Sequence, residues 1–63
     1  MNRVNTIFSD YPDVVSVKQL AEMLGISTKT AYKLVKEKEI KSIMIGNVYK
    51  IPKIFILEYL GIS

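Results

Sequence analysis

The sequence has no cysteine, no histidine and no tryptophan. Without thiols or imidazoles there is no disulfide framework, no zinc site of the usual kind, and no Ser-His or Cys-His nucleophile. The acidic residues Asp10, Asp13, Glu22, Glu37, Glu39 and Glu58 show no metal-ligand spacing and no pairing with a base. The chain therefore reads as non-enzymatic, with no cofactor expected. Long hydrophobic runs are missing too: Ile54-Phe55-Ile56-Leu57 is the longest, against the roughly 20 apolar residues a membrane span needs. Nothing resembles a signal peptide, so the expected setting is a reducing cytoplasm with no membrane partner. Glycine and proline are sparse, and no Gly- or Ser-rich linker divides the 63 residues. One domain is implied, its core held by apolar packing alone.

What is present is an uneven distribution of charge. The net charge of +3 is modest, but residues 28 to 53 carry Lys29, Lys33, Lys36, Lys38, Lys41, Lys50 and Lys53 against Glu37 and Glu39. Residues 4 to 27 hold Lys18 alone against Asp10, Asp13 and Glu22. A basic partner surface is expected in the middle of the chain.

Residues 1 to 13 show no helical or strand period, and Pro12 between Tyr11 and Asp13 reads as a turn, so this segment is expected to be an arm preceding a domain of residues 14 to 63. Ser16-Val17-Lys18-Gln19 fits a capping box, which starts a helix at Val17. Val17, Leu20, Ala21 and Leu24 form its apolar stripe, and Gly25 ends it as a left-handed cap. Ser27-Thr28 offers a second N-cap, followed by a helix from Thr28 to about Lys38 with Ala31, Leu34 and Val35 on one face. Lys29, Tyr32, Lys33 and Lys36 form a stripe almost opposite. Ile43-Met44-Ile45, Gly46-Asn47 and Val48-Tyr49-Lys50-Ile51 then have the texture of a β-hairpin. A three-residue loop, Gly46-Asn47-Val48, is preferred because it turns Ile43, Ile45, Tyr49 and Ile51 inward and Met44 and Lys50 outward. Pro52 ends the strand and suits the first turn of a third helix from about Lys53 to Leu60.

Two short helices joined around a glycine are the sequence form of a helix-turn-helix. The small Ala21 sits where the helices should cross, Leu20, Leu24, Ile26, Ala31 and Leu34 fill the space between them, and Gly25 reverses the chain. Any amphipathic helical hairpin meets part of this pattern; the lysine stripe and the hairpin that follows favour the DNA-binding form. The expected fold is a small α+β winged helix-turn-helix of order α-α-β-β-α with an N-terminal arm.

VVSVKQLAEMLGISTKTAYKLVKEKEI and IMIGNVYKIPKIFILEYL together resemble the excisionase-type winged helix-turn-helix proteins of mobile elements, which are related to the DNA-binding domains of MerR-type regulators. The resemblance runs from Val14 to Leu60. It implies that Thr28 through Lys36 enter a major groove and that Gly46 through Lys50 lie along the adjacent minor groove or backbone. Two departures stand out: Lys38 where the family usually has glycine after the second helix, and Asn47 where it often has arginine after the wing glycine. The third helix is also more apolar than usual at Ile54, Phe55 and Leu57.

The candidate DNA-binding residues are Ser27, Thr28, Lys29, Thr30, Tyr32, Lys33, Lys36, Asn47 and Lys50. Lys29, Lys33 and Lys36 suit phosphate or guanine contacts, and Lys50 phosphate. Tyr32 either meets DNA or packs its ring across the hairpin. Of Thr28 and Thr30, one is expected to cap the helix while the other meets phosphate or a thymine methyl. The apolar third helix needs a cover, either Ile7 and Phe8 of the arm, which is favoured, or another protomer or a recombinase. The leading reading is a sequence-specific architectural DNA-binding protein that assists an integrase in excision, with double-stranded DNA as partner and cooperative self-association on it. The alternatives are a small transcriptional regulator of the same element and a protein interaction module.

Overall fold

The computed structural model describes residues 8 to 61. The elements run β1 (Val14–Val15), α1 (Val17–Leu24), α2 (Thr28–Lys36), β2 (Ile43–Ile45), β3 (Val48–Pro52) and α3 (Lys53–Leu60). This is a small α+β winged helix-turn-helix. It contains one strand more than the sequence suggested, since Val14 and Val15 pair antiparallel with Pro52 and Ile51. The three-stranded sheet therefore has the order β1-β3-β2, with β3 in the centre. Two β-branched residues were too short a run to declare a strand; the backbone groups of β3 recruit them.

The first helix begins as a capping box: the Gln19 N–H donates to Ser16 Oγ at 3.1 Å and the Ser16 N–H to Gln19 Oε1 at 2.9 Å. Gly25 closes it with φ +67°, and the Ile26 N–H returns to the Ala21 carbonyl at 3.0 Å. With the Gly25 N–H donating to the Glu22 carbonyl at 3.3 Å, this bond fixes the reversal between the helices. Ser16→Ala removes one side of the box and is expected to cost about 1 kcal/mol, read as a drop in the thermal midpoint.

The core gathers Val15, Val17, Leu20, Ala21, Ala31, Val35, Ile40, Ile51 and Ile56, with Leu24, Ile26 and Leu34 packed against it. Ile40 escaped the sequence reading because it stands outside any periodic segment. It is buried because the chain after α2 folds back, the Glu39 and Ile40 N–H groups both donating to the Leu34 carbonyl at 2.9 and 3.3 Å. The second helix ends at Lys36, two residues earlier than expected. Lys38 takes φ +62°, the conformation a glycine would supply, and so breaks the helix.

The hairpin corrects the expected register. Ile45 pairs with Val48, Met44 with Tyr49 and Ile43 with Lys50, so the loop is the two-residue Gly46-Asn47. Gly46 has positive φ and Asn47 does not, as a type II′ turn requires. Turn geometry here outweighs the burial of isoleucines. Met44, Tyr49 and Ile51 share the face toward the helices, whereas Ile43, Ile45, Val48 and Lys50 share the outer face, with Ile45 62% exposed.

Two readings of the third helix also change. Pro52 is still paired within β3 and serves as the N-cap of α3 rather than its first turn. Leu57 is buried and Phe55 half-buried, so the open apolar positions of α3 are Ile54, Tyr59 and Leu60. Lys53, counted with the basic surface, is only 6% exposed. Its ammonium donates to the carbonyls of Phe8 at 3.2 Å and Tyr11 at 2.9 Å, and its N–H to the Asp13 carbonyl at 2.8 Å. The arm is thus fastened to the start of α3 by backbone carbonyls, and Tyr11, edge-on to Phe8, packs against the core. Ile7, the other residue expected to cover α3, lies outside the described residues.

Candidate nucleic-acid interface

The second helix is placed by two anchors. Buried Ala31 and Val35 hold its inner face against α1 and the sheet. At its start Ser27 Oγ accepts from the Thr30 N–H at 3.1 Å and donates to Thr30 Oγ1 at 2.9 Å. The cap is therefore Ser27 with the Thr30 hydroxyl attached to it, and Thr28, which does not cap, is exposed.

Opposite the buried face, Lys29, Thr30, Tyr32, Lys33, Lys36 and Glu37 line one open groove along α2. Lys33 and Lys36 also occupy the last turn, where positive charge complements the helix dipole, so part of their role is to stabilise α2 itself. Tyr32 stands at the junction with the hairpin. Its ring meets that of Tyr49 edge-on, centroids 6.2 Å apart at 65°, and the residue remains 50% exposed. The two roles weighed for Tyr32 are thus compatible: the ring braces the wing while half of the residue faces outward.

A second groove lies where α1, α2 and the wing meet. Ser16, Lys18, Thr28, Tyr32, Asn47 and Tyr49 stand along it, which brings the start of α2 and the wing tip to one surface. Lys18 and Tyr49 were absent from the candidate residues. Lys18 follows the N-cap of α1, whose position beside the wing no sequence pattern reports. Lys50 does not join this surface, because it is opposite Ile43 on the outer face of the hairpin. A cleft behind the wing, between the end of α2 and β2, carries Lys36, Lys38, Lys41, Ser42, Met44 and Tyr49. Among the described residues no group of three or more histidine, cysteine or acidic side chains could hold a metal ion, and no helix is long and apolar enough to cross a membrane.

A corner of two helices with a basic outer helix, buttressed by a hairpin through paired tyrosines, defines the class of winged helix-turn-helix proteins. Within that class a family model described as a helix-turn-helix domain matches residues 14–63, and the chain belongs to that family of excisionase-like DNA-binding domains. No curated protein and no solved structure matches it significantly. Family membership supports DNA binding; the family is typically non-enzymatic.

Proposed function

We propose that this protein reads double-stranded DNA with α2 and acts architecturally, as an excisionase-like protein that helps an integrase release a mobile element. The observation that carries the reading is the exposed face of α2, with Lys29, Lys33 and Lys36 in line and Tyr32 bridging to the wing. In this reading Thr28, Lys29 and Thr30 enter the major groove beside the Ser27 cap, Lys33 and Lys36 meet phosphates, Asn47 follows the adjacent backbone or minor groove, and Lys50 meets phosphate from the outer side of the wing. One such module covers roughly 600 to 1,000 Å² of protein surface, which is little for high specificity. Several copies on adjacent sites compensate, and exposed Ile54 and Leu60 of α3 offer apolar surface for contacts with a neighbour or with an integrase.

With Lys29, Lys33, Lys36 and Lys50 giving about four charged contacts, the log-log dependence of affinity on salt is expected to have a slope of about −3 to −4, at roughly 0.9 per contact. Lys33→Ala should weaken binding and flatten the slope by about one. A slope near zero for the intact protein would remove the DNA-binding reading. Fragments with the site circularly permuted should migrate differently if the protein bends DNA, and repeated sites should fill cooperatively. Occupancy of a lone promoter site without bending would replace the excisionase role with that of a transcriptional regulator.

A further inference from the structure

The hairpin has few cations for a wing. Its tip, Gly46-Asn47-Val48, has none, and Lys50 is on the outer face, away from Tyr49. Apart from Lys18 in the groove beside the tip, the positive charge near the wing is found behind it. The run Lys36-Glu37-Lys38-Glu39-Ile40-Lys41 looks nearly neutral as sequence, but the turn after α2 sorts it by sign. Lys36, Lys38 and Lys41 line the cleft between α2 and β2, while neither Glu37 nor Glu39 does, and Glu37 stands on the other groove. Ser42 adds a hydroxyl and Tyr49 a phenol to the same wall. The Lys41 ammonium lies 5.7 Å from the centre of the Phe55 ring of α3, outside the cleft lining, a contact that leaves its charge unneutralised.

The backbone supplies a second, independent observation. Lys38 has φ +62°, a conformation disfavoured for a residue with a Cβ and open to glycine at little cost. The Lys38 N–H bonds to the Val35 carbonyl at 3.1 Å and the Glu39 N–H to that of Leu34 at 2.9 Å, and buried Ile40 anchors the next step, so the turn is imposed on Lys38 from both sides. A side chain kept in a left-handed position that glycine would fill more easily points to use of that side chain.

We propose that the cleft between the end of α2 and β2 takes a stretch of the DNA phosphate backbone, with Lys38 and Lys41 as contacts beyond those of α2. The inference rests on the DNA-binding reading and extends it: Lys36 belongs to both the α2 groove and the cleft, so the basic surface continues around the base of the wing. Tyr49 lines both this cleft and the groove at the wing tip, so the two adjoin along the face of the hairpin toward the helices.

The test compares Lys38→Gly, Lys38→Gln and Lys41→Gln with the wild type and with Lys33→Ala, measuring affinity for a bound DNA fragment across a salt series. Lys38→Gly relieves the backbone, so its thermal midpoint is expected not to fall, yet its affinity should drop roughly three- to ten-fold and its salt slope flatten by about one. Lys38→Gln keeps the backbone demand and loses only the charge, and should match the glycine variant in binding; Lys41→Gln should behave likewise. If these variants bind as the wild type does while Lys33→Ala is weakened, the cleft is not a DNA contact and the proposal is overturned alone. If the wild type itself shows no salt-dependent binding, the DNA-binding reading falls and takes this one with it.

Discussion

Ala21→Leu is expected to lower the thermal midpoint by about 5 to 20 °C, or to leave the chain unfolded at room temperature, because the helix corner has no room for three more carbons. Ala21 is buried beside Leu20 and close to the reversal at Gly25, and its carbonyl holds the Ile26 N–H. Retreat of α1 from a larger side chain would break that bond or displace Ala31 and Leu20, both with no exposed surface. Overpacking of this kind costs about 1–3 kcal/mol. In a domain near 60 residues each kcal/mol moves the midpoint by roughly 4–8 °C. Thermal denaturation followed by circular dichroism measures it. A midpoint within a degree or two of the wild type would mean that the helices do not meet at Ala21.

Lys53→Ala is expected to cost about 1–3 kcal/mol, because it leaves the Phe8 and Tyr11 carbonyls without their shared donor in a partly buried site and removes a packed aliphatic stem. Amide exchange should report the same change locally, with the Tyr11 N–H, which bonds to the Phe8 carbonyl, losing protection before α1 and α2 do. Lys53→Met separates the two contributions by keeping most of the stem. If the methionine variant is as stable as the wild type, the ammonium contributes nothing and packing alone explains the burial.

Much of this molecule was legible in its sequence where one local rule acts alone. Ser16 and Gln19 announce a capping box, Gly25 a left-handed cap and the Lys29, Tyr32, Lys33, Lys36 stripe an outer face, and all three are as expected. The failures occur where rules compete. Burial preference and turn chemistry disagreed over the hairpin, and the glycine turn prevailed, which left Ile43 and Ile45 outside. Lys53 broke the rule that lysines belong to the surface, since its partners are main-chain carbonyls some forty residues away and have no sequence signature. The sorting of Lys38 and Lys41 from Glu37 and Glu39 depends on the turn after α2, so a count of charges could not show it.

The central position of β3 carries a consequence for how the domain is assembled. Both neighbours of β3 need its backbone, but β2 reaches it across two residues whereas β1, which precedes both helices, pairs with it at long range in sequence. Loop-closure entropy makes the hairpin the early partner and β1 the late one. The helix corner, made of contacts close in sequence, can form before either. Until β3 is in place, β1 and the carbonyls that Lys53 holds have nothing to bind, so docking of β1 and the preceding segment is expected as the late step of folding, onto a helix corner already formed.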